Sequence, residues 1–87
     1  MTTYPQYRCY SHKRTWFVIH SEGNFTELSV TGKYYSLHEI QALQYPEKLR
    51  IADMLACADG HWLMVTEQEY LAFLGDCQSR LEFRSFA

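Results

Sequence analysis

The run Arg14-Thr-Trp-Phe-Val-Ile-His20 is apolar and β-branched almost throughout, the pattern of a strand buried on both faces. In such a strand Thr15, Phe17 and Ile19 point one way, and Trp16, Val18 and His20 the other. Residues 6–12 read as a strand before it. Ser21-Glu22-Gly23-Asn24 is a turn signal, with Gly23 and Asn24 able to take positive φ. Over residues 25–31, Thr26, Leu28 and Val30 alternate with Phe25, Glu27 and Ser29, which predicts a half-exposed third strand closed by a turn at Thr31-Gly32-Lys33. Three strands joined by short turns predict an antiparallel meander.

The period then lengthens. Ser36 is a predicted N-cap with Glu39 as its capping-box partner, and Leu37, Ile40 and Leu43 form a short apolar stripe. Pro46 interrupts that helix and is placed to open a second one, with Glu47 beside it at the positive end of the dipole. Leu49, Ala52, Leu55 and Ala56 recur at helical spacing, and Asp59-Gly60 supplies the stop. The result is a bent helical pair whose apolar face needs a sheet to cover it. His61–Val65 predicts a fourth strand. Thr66 caps a third helix with Glu69, and Tyr70, Phe73, Leu74 and Cys77 make its core stripe. Gly75 weakens that helix by about 1 kcal/mol against Ala, so its last turn is expected to fray or end there. Arg80–Phe86 alternates, with Leu81 and Phe83 on one face, as an edge strand does. The order βββααβαβ predicts a single α+β domain over residues 1–87, an antiparallel sheet with helices packed on one face.

Composition changes this picture little. The apolar share of 47% and charged share of 21% suit a folded domain. Aromatics reach 16%, a surplus of side chains that serve either to fill a small core or to anchor an interface. Cysteines stand at 9, 57 and 77; an odd number without a framework suggests a reducing compartment and thiols acting as small hydrophobes. Neither a secretory leader nor a run of about 18 apolar residues is present, so a soluble cytoplasmic protein with no membrane contact is expected.

Charge is uneven. Residues 1–20 hold Arg8, Lys13 and Arg14 and no acid, whereas the remaining 67 hold five bases and ten acids. Interleaved with Tyr10, these three cations make the N-terminal strand pair a candidate site for RNA or single-stranded nucleic acid, where bases stack on rings and phosphates meet cations. Between residues 36 and 78 the acids Glu39, Glu47, Asp53, Asp59, Glu67, Glu69 and Asp76 face only Lys48 and Arg50.

Catalytic chemistry finds no foothold. There is no G-x-S-x-G, H-E-x-x-H, phosphate-binding loop or dinucleotide fingerprint. Cys57, Asp59 and His61 lie within one turn of chain, too close to act as thiol, orienter and base from separate elements. Cys9-x2-His12 and Cys57-x3-His61 could offer four zinc ligands. However, strand alternation sends Cys9 and His12 to opposite faces, so no metal and no cofactor is expected. The expectation is therefore a non-enzymatic protein-binding module. Its contacts would be Glu39, Glu47, Asp53, Glu67 and Glu69, with Tyr34 and Tyr35 as aromatic anchors, and its partner the basic surface of a nucleic-acid-handling protein. Small acidic α+β domains without motifs are a familiar style of phage-encoded inhibitor, an analogy of style only. A second copy of the chain is a further candidate partner.

Overall fold

The structure is a computed structural model that describes residues 3–57 and 60–84. Its elements are β1 (Gln6–Tyr10), β2 (Thr15–Ser21), β3 (Asn24–Thr31), β4 (Tyr34–Gln41), α1 (Tyr45–Ala56), β5 (Trp62–Val65), α2 (Glu67–Arg80) and β6 (Glu82–Phe83). The class is α+β. One six-stranded sheet runs β5-β1-β2-β3-β4-β6, antiparallel except for the parallel β4–β6 pair.

The expected first helix is a strand. Gly32, at φ +60°, occupies the first central position of the two-residue loop between Thr31 and Tyr34, the position a type II′ hairpin reserves for glycine. The chain that leaves this turn is in register with β3, and eight consecutive pairs form, from Thr31–Tyr34 to Asn24–Gln41. That ladder outweighs a short helical stripe, since a lone turn of helix is costly to nucleate. Ser36 is thus a buried strand residue and not an N-cap, and Glu39 stands opposite Thr26 instead of closing a capping box. Pro46 does open a helix in its first turn, with Glu47 beside it, and Cys57 ends that helix in the left-handed conformation at φ 51°. Asp59 of the expected stop lies outside the described residues.

The second half follows the sequence more closely. Thr66 Oγ1 accepts from the Glu69 N–H, and Glu69 Oε1 accepts from the Thr66 N–H, both at 3.1 Å. Helix α2 continues past Gly75 to Arg80. The final strand is short, at Glu82–Phe83, and residues 85 and 86 of the expected strand lie outside the described part.

The helices cover opposite faces of the sheet, not one. Tyr70, Cys77, Phe73 and Leu74 of α2 pack with Cys9, Trp16, Val18, Leu28 and Tyr35. Ile51, Met54 and Leu55 of α1 pack with Phe17, Ile19, Phe25, Ala42 and Trp62. The reason is connectivity. Strands β4, β5 and β6 all point the same way, so β4–α1–β5 and β5–α2–β6 are crossovers, the first leading across the sheet and the second back. Two such crossovers share one hand only when their helices lie on opposite faces, and one hand is strongly preferred. Strand β2 therefore buries both its faces, as its unbroken apolar run demands.

Helix α1 is turned differently from the expected stripe. Ile51 and Met54 face the sheet, while Leu49, Ala52 and Ala56 face solvent. Arg50 fixes this orientation from the side: its guanidinium bonds Glu27 at 3.2 Å and lies 5.3 Å from the ring centres of Phe17 and Phe25.

Candidate functional site

Strand direction sorts the charges. The β1–β2 and β3–β4 turns lie at one end of the sheet together with the C-termini of both helices, because α1 leads from the far end of β4 and α2 from the far end of β5. This end holds Lys13, Arg14, Lys33, Arg80 and Arg84, with His12 and His61 beside them, and also the acids Asp53, Glu82 and Asp76, the last paired with Arg80. The opposite end, where both helices start, holds Glu22, Glu39, Glu47, Glu67 and Glu69, against Lys48 as the base among its described residues.

Four of the five expected acidic contacts thus share one end of the molecule, although α1 and α2 place them on different faces. Asp53 does not join them; it sits in the last turn of α1. The acidic end also stabilises the helices, since Glu47, Glu67 and Glu69 occupy their first turns, where the dipole is positive. Glu69 is further committed to the capping box. Glu47 is half-buried, and its Oε2 has no hydrogen-bond partner among the described residues. Glu22, Glu39 and Glu67 are exposed, and their side chains make no hydrogen bond or ion pair among the described residues, so they are the available carboxylates.

The aromatic anchors are not where the sequence suggests. Tyr35 is 8% exposed, packed in the core under α2 with Phe83 at 5.4 Å between ring centres. Tyr34 is half-buried at the basic end, with Arg84 at 5.3 Å and Lys33 at 5.8 Å from its ring. The three most exposed apolar side chains lie elsewhere, Leu43 and Tyr45 before and at the start of α1 and Met64 on the edge strand β5; Leu49 on α1, Leu71 on α2 and Phe83 on β6 are exposed to a lesser degree. A groove of about 700 Å³ follows α1, lined by Tyr4, Glu22, Leu43, Lys48, Ile51 and Leu55. Sequence reasoning missed Leu43 and Tyr45 because it placed Leu43 on the buried side of a helix.

The nucleic-acid candidates are also rearranged. Arg8 is 3% exposed, and its guanidinium donates to the carbonyls of Met54, Leu55 and Tyr7, so it cannot meet a phosphate. The Tyr10 ring is occupied by Trp62, Phe17 and His12, at centroid distances of 5.8, 5.2 and 5.3 Å, and offers no free stacking face. Lys13 and Arg14 remain exposed. They are joined by Lys33, in the neighbouring hairpin turn, and Arg84, just after β6, a proximity that no local sequence pattern shows. A cavity of about 610 Å³ lined by His12, Arg14, Thr15 and Thr31 lies between those turns.

The Cys/His pairs do not converge. Cys9 is buried beneath α2, whereas Cys57 ends α1 on the other face. Among the described residues no group of three or more His, Cys, Asp and Glu is arranged to hold a metal ion. Burial raises the Cys9 and Cys77 thiols above their usual range, with Glu69 and Asp76 respectively adding to the effect. Neither is a nucleophile near neutral pH. No helix among the described residues is long and apolar enough to cross a membrane.

Compared with known protein families, with curated proteins and with solved structures, the chain matches none of them.

Proposed function

We propose that this protein is a non-enzymatic, cytoplasmic protein-binding module that docks its acidic end on a basic protein surface, such as a nucleic-acid-handling protein presents to phosphate. It would act as an inhibitor by occupying that surface, in the style of phage-encoded inhibitors of host machinery. One observation carries the reading: strand direction gathers Glu22, Glu39 and Glu67, all exposed, at the same end as Glu47 and Glu69. Leu43, 78% exposed at that end, adds an apolar contact beside the carboxylates. Complementary charge steers encounter and fixes orientation, while apolar contact at the centre supplies affinity.

The reading is tested by affinity capture from the host with the wild type and with a Glu22→Lys/Glu39→Lys/Glu67→Lys variant, all three at exposed positions. A basic protein retained by the wild type and lost by the variant supports it; a prey retained equally by both overturns it.

A second reading rests on the basic end, which holds Lys13, Arg14, Lys33 and Arg84, the last two beside the Tyr34 ring. It makes the protein a binder of RNA or single-stranded nucleic acid. In the same capture it predicts nucleic acid as the prey, lost on Lys13→Glu/Lys33→Glu and indifferent to the glutamates.

A further inference from the structure

Helix α1 is apolar on two sides. Ile51 and Met54 fill the core, and on the opposite side Tyr45, Leu49, Ala52 and Ala56 form a second stripe that faces solvent. Tyr45 is 74% and Leu49 45% exposed. Four of the 12 residues of α1 are charged, so it is not apolar all round, but it carries two opposed apolar sides where a helix packed on one sheet needs only one. The core has not absorbed this stripe, and its spacing is regular: four, three, then four residues, the d-a-d-a rhythm of a helix seam. The two positions nearest the C-terminus are alanines, which let two helix backbones approach closely.

The charges flanking the stripe identify what covers it. Lys48 precedes the stripe's second member by one residue, in the g position of this seam, and Asp53 lies five residues on, in the e position. Across a parallel two-stranded seam, g of one helix meets e of the other; across an antiparallel seam, g meets g and e meets e. Neither side chain has an ion pair within the chain among the described residues, unlike Arg50 and Arg80. The surface is therefore complementary to itself in one arrangement.

We propose that α1 pairs in parallel with α1 of a second copy about a two-fold axis, burying Tyr45, Leu49, Ala52 and Ala56, with Lys48 of each chain against the partner subunit's Asp53. Such an interface is isologous, as closed dimers require. A helix of 12 residues is about 18 Å long, so the interface is small and the dimer is of the weak, reversible kind, with a dissociation constant on the order of micromolar. Both acidic ends then lie side by side, giving a partner with repeated basic sites two contacts instead of one. The inference does not depend on the docking reading: the seam adjoins the docking groove, which Lys48 and Ala52 also line, but dimerisation is read out without any partner.

Sedimentation velocity on the full chain at about 0.15 M salt tests it. The wild type should show concentration-dependent dimerisation, and Leu49→Glu should remain monomeric with unchanged circular dichroism. Lys48→Asp and Asp53→Lys should each weaken the dimer about tenfold, and the double variant should recover it. Each swap improves the charge balance with the helix dipole, so a loss of dimer cannot be ascribed to a lost helix. A wild type that stays monomeric up to about millimolar concentration overturns the proposal. So does a dimer that survives Leu49→Glu, because the interface is then elsewhere. A dimer indifferent to both single swaps overturns the parallel pairing, since an antiparallel seam only exchanges one like-charge contact for another.

Discussion

Arg8 and Met54 join the first strand to the end of the first helix: the Arg8 Nε–H donates to the Met54 carbonyl at 2.8 Å. The same guanidinium reaches the Leu55 carbonyl at 3.2 Å and the Tyr7 carbonyl at 2.8 Å. A helix leaves its last carbonyls without partners, and they form the negative end of its dipole. A buried arginine answers both needs at once. Its own burial is tolerable because charge and donors are met by oriented carbonyls. Helix α1 has no basic residue in its last turn, so the cation comes from β1.

Arg8→Met keeps an apolar stem in place and removes the donors. The expected loss is about 2–4 kcal/mol in urea unfolding, since the Met54 and Leu55 carbonyls lose the guanidinium donors, Met54 keeping only the Cys57 N–H at 3.2 Å. A loss below about 1 kcal/mol would show that water takes over the capping.

The two Ser/Thr positions with capping-box spacing should behave differently. Thr66→Ala removes an observed N-cap and should cost about 1 kcal/mol. Ser36→Ala removes a buried hydroxyl that makes no hydrogen bond among the described residues, so it should be near neutral, within about 0.5 kcal/mol. Equal losses at both sites would return β4 to a helix.

Thiol labelling should divide the cysteines. Cys57 is half-exposed, whereas Cys9 and Cys77 are buried with raised pKa. Native protein should therefore yield one fast-reacting thiol per chain, lost in Cys57→Ser, and three in denaturant. Three fast thiols in the native state would mean that α2 does not hold its place on the sheet.

Stability should fall in alkali. Burial raises Cys9 and Cys77 above the usual thiol value of 9.0, and Tyr7 and Tyr70 above the usual phenol value of 10.0. Below about pH 9 both folded and unfolded chains keep these protons, and the stability is fully present. Above it the unfolded chain releases them first, so unfolding is favoured increasingly as pH rises. Cys9→Ala and Cys77→Ala should shift the onset of this loss upward in unfolding measured between about pH 8 and 11. An onset unmoved in both would assign it to other groups.

Much of the fold was legible along the chain. Strand β2, the hairpin turns, the Thr66–Glu69 capping box and the Tyr70–Cys77 stripe all depend on residues a few positions apart, so the sequence shows them directly. The double-sided burial of β2 was legible too, but the helices were expected on one face, and that they take opposite faces follows from the crossovers. Tyr34–Gln41 was misread because Ser36, Leu37, Glu39 and Ile40 satisfy a local helix pattern. Their pairing with β3 depends on register, which no window around Ser36 contains.

The candidate surfaces were less legible, for the same reason. Sequence counted the acids of residues 36–78 as one half of the chain. The structure keeps Glu39, Glu47, Glu67 and Glu69 together and separates Asp53, because strand direction decides at which end each residue lies. It removes Arg8 from the basic set by burying it against α1 and adds Lys33 and Arg84 from the turn and strand beside Tyr34. The stripe Leu49-Ala52-Ala56 was visible as helical spacing, but which side of α1 it occupies was settled by Ile51, Met54 and the Arg50–Glu27 contact. Local periodicity is a property of neighbouring residues and is carried by the sequence; face, end and partner are set by long-range packing and by the preferred hand of the crossovers, and these exist only once the sheet has formed.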